Sequence, residues 1–181
     1  MAVAIVVSFD LSDVQLEKER MLAEREKLDI TCMRGDMADL SQFAVESFEL
    51  IFHPVSHVFA PDVEIVWRQC FRVLKPKSHL LAGFMNPSLF LFDHDESERA
   101  GKIEVKYKLP CAEPDSLDQA GLKDPVESGR ALEFSHLLQT QIGGQLQAGF
   151  VIADLYEDDR PNAFLLSKFS PTSIATRATK H

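Results

Sequence analysis

The sequence predicts a single α/β domain built on a mostly parallel sheet. Apolar, β-branched segments alternate with segments of helical period from Val3 to Phe84. The connectors between them are short, which suits strands joined by crossover helices. A chain of 181 residues, 45% hydrophobic and 26% charged, is long and apolar enough for one packed core.

The elements follow in order. Val3 to Phe9 reads as a buried strand ending at the acidic Asp10. Within it, Ala2 to Val7 is the longest apolar run, far short of the roughly 20 residues that span a bilayer. Asp10, Asp13 and Glu17 follow at once, so the run is not a secretory leader. Ser12 opens a helix to about Leu28, with Gln15 placed for a capping box. Val14, Met21 and Leu28 form its expected inner stripe, with Leu16 and Ala23 off it. Ile30 to Arg34 is a second strand, followed by the turn Gly35-Asp36, and Phe48 to Phe52 is a third.

After the loop His53 to Ala60, a helix is expected from Asp62 to Leu74. Val63, Val66, Trp67, Cys70 and Leu74 keep helical spacing there, and Pro76 stops it. His79 to Phe84 is the fourth strand. Asn86 to Arg130 carries Pro87, Pro110, Pro114 and Pro125 and one candidate strand, Ile103 to Lys108, but no sustained period. Leu132 to Ala148 reads as a helix weakened by Gly143-Gly144. Phe150 to Tyr156 is a strand closed by Glu157-Asp158-Asp159, and Ser173 to Arg177 is the last strand, after Pro171.

The net charge is -9, from 28 acidic and 19 basic side chains without a basic cluster, and such a surface repels nucleic acid. Cys32, Cys70 and Cys111 are odd in number and widely spaced, so buried free thiols in a reducing cytoplasm are expected. No metal site is expected. His94 with Asp93, Asp95 and Glu96 reads as an acidic solvated loop.

In open α/β sheets, ligands bind beyond the carboxyl ends of the strands. Three such ends carry polar residues: Asp10, Gly35-Asp36 and His53. An acid at a strand end can accept from both hydroxyls of a ribose. Taken alone, Asp10 equally reads as support for the helix start beside Ser12.

Taken together, the segments are more specific. Val6-Val7-Ser8-Phe9-Asp10-Leu11-Ser12-Asp13-Val14-Gln15-Leu16 resembles the second strand and following helix of class I S-adenosylmethionine-dependent methyltransferases. Arg34-Gly35-Asp36-Met37-Ala38-Asp39-Leu40 resembles their adenine-contacting turn, and Phe48-Glu49-Leu50-Ile51-Phe52-His53-Pro54 their fourth strand. Trp67 to Lys75, with Phe71-Arg72-Val73-Leu74-Lys75-Pro76, resembles the helix and turn before the fifth strand. Phe134-Ser135-His136 and Gly149-Phe150 resemble parts of a later helix and the sixth strand.

The resemblance implies a Rossmann-like fold with an antiparallel last strand. It implies S-adenosylmethionine as cofactor and a small-molecule methyl acceptor, shaped by a variable region of about 88–149. Asp10, with Leu11 in the same turn, would bind the ribose. Asp36 and the Met37 backbone would meet the adenine, and Phe52 and His53 would lie beside the methionine moiety. His53 and His57 bracket the loop at that mouth, where imidazole is the candidate base. The competing reading has one capping a strand end and the other solvated. His136 would face the acceptor pocket or sit half-buried in the packing.

Two departures stand out. Lys77-Ser78 replaces the paired glycines usual in that turn, where glycine would take positive φ cheaply. The usual first strand, glycine-rich turn and helix are missing ahead of Asp10, and the first glycine is Gly35. The expectation is therefore a domain truncated before that motif, with unpaired ladders on either side of the gap. Direct pairing of the flanking strands, a strand borrowed in a homodimer, or a longer reading frame would each close it. A non-catalytic remnant that keeps the fold without binding the cofactor is the alternative function. A nucleotide-binding dehydrogenase fragment is a weaker third reading, opposed by the Gly-Asp-Met turn and the Arg-Val-Leu-Lys-Pro segment.

Overall fold

The computed structural model describes residues 4–112, 131–159 and 163–181. The expected loop around Pro114 and Pro125 lies outside the described residues.

Strand β1 (Val6–Asp10) pairs in parallel with β2 (Ile30–Arg34), from Val6 opposite Ile30 to Asp10 opposite Arg34. Helix α1 (Asp13–Glu26) makes the crossover between them. The Ser12 hydroxyl accepts from the Gln15 amide at its start, and left-handed Lys27 ends it.

Strand β3 (Phe48–Pro54) pairs in parallel with β4 (Leu74–Met85), and helix α2 (Val63–Val73) makes the crossover. Asp62 caps α2 by accepting from the Glu64 and Ile65 amides. The short helix α3 (His94–Ala100) follows, and helix α4 (Gly144–Gln147) continues a π-helical turn, Gln139–Gly143. Strands β5 (Phe150–Asp158) and β6 (Ser173–Lys180) complete a sheet of order β3-β4-β6-β5, in which β6 runs antiparallel to both neighbours, as expected of the last strand.

The core lies between α2 and this larger sheet. Val63, Val66, Trp67, Cys70 and Val73 are buried on the helix, and the first four pack in one core with Leu80, Ala82, Phe150 and Ala178. Each fully buried side chain of this kind contributes about 1.5–3 kcal/mol. No helix among the described residues is long and apolar enough to cross a membrane.

Several expectations are corrected. On α1 the buried residues are Leu16 and Ala23, whereas Val14, Met21 and Leu28 are exposed. Helix α1 covers only a two-stranded sheet, so one narrow stripe meets it. Met21 stands about 140° round the helix from Leu16 at ~100° per residue. Residues 103–108 form no strand, because the Lys106 and Tyr107 amides both donate to the Leu91 carbonyl and not to a ladder. The helix expected from Leu132 begins later, since Phe134 makes an antiparallel bridge with Ala112. The acidic loop around His94 is helix α3, capped by Asp93. Among the described residues, no group of three or more His, Cys, Asp or Glu is placed to hold a metal. Cys70 is buried as expected, but Cys32 is only half-buried.

Strands β1 and β3 do not pair, so the chain forms two separate sheets. Direct pairing across the gap is thus not how this structure closes. A chain of edge-on rings links the sheets, with Phe43 standing 5.2 Å from Phe9 and 5.1 Å from Phe48. Arg72 of α2 secures that link by donating to the Leu40 and Phe43 carbonyls. One face of β3 remains uncovered, with Leu50 52% and Phe52 71% exposed.

Candidate functional site

The first group of residues sits at the carboxyl ends of β1 and β2. Parallel pairing puts Asp10 opposite Arg34, and the Gly35 amide donates to the Asp10 carbonyl at 3.0 Å. This one bond sets the Asp10 turn beside the Gly35-Asp36 turn. Asp10 Oδ1 accepts from the Ser12 amide at 2.7 Å. Arg34 Nε donates to the Leu11 carbonyl and its Nη1 pairs with Asp13, so the exposed Leu11 turn is braced from β2. Asp36 Oδ1 accepts from the Ala38 amide at 2.8 Å. Met37 and Ala38 pack against the main core, which fixes the turn to the larger sheet. Gly35 has a steric reason: a Cβ there would lie 2.1 Å from the Phe9 ring.

The second group is a buried ring cluster. His53 lies near the end of β3 on the face toward α2, and His57 stands in the 3-10 turn Ser56–Phe59. The His57 ring centroid is 5.6 Å from His53, 5.4 Å from Trp67, 5.6 Å from Phe84 and 5.9 Å from His136. His57 Nε2 meets Gln141 Oε1 at 3.2 Å, and His136 Nε2 donates to the His57 carbonyl. His53 Nδ1 lies 3.4 Å from the Ser56 hydroxyl. His53 Nε2 and His57 Nδ1 are buried without a hydrogen-bond partner.

Burial sets the electrostatics here. It lowers the His53 pKa to about 4. It lowers His57 further, to about 3, with repulsion from His53 adding to the effect. His136 is also lowered by burial. All three rings are therefore neutral near pH 7. Burial pushes the Cys70 thiol up to about 12, so it is inert as a nucleophile.

The structure thus brings Asp10, Leu11, Asp36 and Met37 together, and separately His53 with His57. Phe52 alternates with His53 along β3 and is exposed on the opposite face. Among the described residues, no hydrogen bond, ion pair or ring contact joins the two groups. The expectation that one of His53 and His57 is solvated does not hold, since both are buried. His136 is buried in the same cluster.

Sequence reasoning missed Gln141 and Thr140. The Trp67 indole donates to the Thr140 carbonyl, and Gln141 holds both His57 and the His136 carbonyl. The available signal was Gly143-Gly144, read only as a weakness. A Cβ on Gly144 would lie 2.8 Å from the Trp67 ring, so this glycine lets the π turn approach the cluster.

The carboxylate pair fits the adenosine end of the cofactor that the resemblance implies. Two adjacent acids are acceptors for ribose hydroxyls and an adenine amino group. Among the described residues, no glycine-rich turn at these strand ends offers backbone donors to the amino-acid end.

Comparison with known proteins gives concordant relatives. A family model described as a methyltransferase domain matches residues 1–82. The uncharacterized methyltransferase YbaJ of Bacillus subtilis (strain 168) is 44% identical over 177 residues, covering 98% of this chain and 68% of that protein. A crystal structure of an S-adenosylmethionine-dependent methyltransferase from Mesorhizobium loti superposes with a TM-score of 0.71 at 17% identity, covering 98% of this chain and 81% of that one. A methyltransferase structure from Methanosarcina mazei gives a TM-score of 0.63 at 12% identity, covering 97% and 81%. The Rossmann-like methyltransferase fold, with its mixed sheet, is the shared architecture.

Proposed function

The chain belongs to the class I S-adenosylmethionine-dependent methyltransferase family, and from that premise we propose that it transfers a methyl group from S-adenosylmethionine to a small-molecule acceptor. The observation that carries this reading is the pairing of the Asp10 and Asp36 turns through the Gly35 amide. In this reading Asp10, with Leu11 beside it, holds the ribose, and Asp36 with the Met37 backbone holds the adenine. His53 is placed toward the methionine end, and Phe52, exposed on the opposite face of β3, is left out of that role. When bound, the sulfonium supplies a methyl group that is already activated, so positioning and exclusion of water dominate the task.

His53 and His57 are proposed beside the reacting atoms. As neutral, buried imidazoles they serve as hydrogen-bond partners first. They are weak bases, suited to a proton that the acceptor sheds as its new bond forms. The acceptor lies toward the region of about 88–149. The net charge of -9 disfavours nucleic acid as a partner, and a cytoplasmic protein with a small-molecule substrate fits the same composition.

Competition tests the reading. Radiolabelled S-adenosylmethionine retained by the chain should be displaced by adenosine and by S-adenosylhomocysteine, and not by free methionine. Retention that adenosine leaves untouched, or no retention at millimolar cofactor, overturns it. A second reading, a methyltransferase fold that does not bind the cofactor, is favoured by the separation of the two sheets and predicts that second outcome.

A further inference from the structure

The buried ring cluster contains a polar arrangement that its packing alone does not require. Gln141 Nε2 donates to the His136 carbonyl at 2.7 Å, so the Gln141 amide is oriented with Oε1 toward His57. An amide oxygen carries no proton, so the 3.2 Å contact is made only if His57 Nε2 donates. The neutral ring then has a bare lone pair at Nδ1, the atom that is buried without a partner. Two further bonds hold the glutamine in place. Gln145 Nε2 donates to the Gln141 carbonyl, and Gln145 Oε1 accepts from the Thr176 hydroxyl of β6. Gln141 and Gln145 are both buried, where an unsatisfied amide would cost about 1–3 kcal/mol.

We propose that Gln141 is a positioning residue for His57, fixing its ring as the Nε2–H tautomer and reserving Nδ1 as the acceptor atom of the His53–His57 site. The inference rests on the proposed role of His57 beside the reacting atoms for its functional meaning, but the tautomer itself is independent of that role. The groups facing His57 are His53, Trp67, Phe84, His136 and Gln141. None of them carries a formal charge while the histidines are neutral. Nothing in that shell offers a carboxylate to hold an imidazolium, so Gln141 selects a tautomer and not a charge state.

Nitrogen-15 NMR of the histidine rings in the full chain tests this. Wild-type His57 should show a protonated Nε2 and a bare Nδ1 from pH 6 to 8. Gln141→Leu should lose that preference, with Nδ1–H appearing, and Gln141→Glu, which sets a carboxylate against Nε2, should shift His57 toward the doubly protonated ring. A protonated Nδ1 in the wild type overturns the proposal, as does an unchanged tautomer in a folded Gln141→Leu. If Gln141→Leu does not fold, the wild-type tautomer together with Gln141→Glu still decides. Calorimetry with S-adenosylmethionine on the same wild-type sample separates the two failures. Absent cofactor binding with the expected tautomer sinks the functional reading alone, and binding with the opposite tautomer sinks the positioning role alone.

Discussion

His57 meets two opposed demands: its ring fills the centre of an aromatic cluster, and its nitrogens are polar. Gln141 satisfies one nitrogen, and the other is left bare within the packing. The consequence is measurable as pH-dependent stability. The folded pKa values of His53 and His57, about 4 and about 3, lie below the ordinary histidine value of 6.5. The unfolded chain therefore binds protons first as pH falls. Stability is full above pH 6.5 and is lost as pH drops toward 4, by about 3 kcal/mol for a single group shifted this far. Thermal melts should be level between pH 7 and 8 and fall steadily from pH 6.5 to 4.5. A melting temperature unchanged between pH 7 and 5 would show that these rings are not held neutral by burial.

At the scale of elements, both crossover helices were legible, but the buried face was legible only for the helix on the larger sheet. Helix α2 presents Val63, Val66, Trp67 and Cys70 to a broad sheet, and that stripe was plain in the sequence. Helix α1 covers two strands only, and its apolar residues outnumber what so narrow a contact can bury. The stripe that looked longest, Val14, Met21 and Leu28, is the one left in water. The strand ends located Asp10 and Asp36, because those positions follow from strand boundaries. Gln141 was not legible, since it lies on a π turn without regular period and meets His57 across 84 positions of sequence. The positive φ of Lys77, 66°, agrees with the expectation that this turn suits glycine. Gly144 belongs to the same scale, because it sets how closely the π turn approaches α2. Gly144→Ala should destabilise the fold by about 1–3 kcal/mol through overpacking against Trp67. Urea unfolding followed by Trp67 fluorescence would measure it, and an unchanged midpoint would contradict the close contact.

Over the whole molecule, the described strands form two sheets, with Phe9, Phe43 and Phe48 as the ring bridge between them. The smaller sheet carries Asp10 and Asp36, while the larger carries His53. Cofactor binding would therefore depend first on the smaller sheet, whose turns are braced by Gly35, Arg34 and Ser12. Calorimetric titration of S-adenosylmethionine into the wild type and into Asp10→Ala tests this most directly. A lost charge-assisted hydrogen bond is worth about 1.5–3 kcal/mol, or roughly 10- to 100-fold in affinity. The wild type should bind in the micromolar range, with Asp10→Ala weaker by that factor. Equal affinity of the two proteins, or no heat of binding from the wild type, would contradict the account.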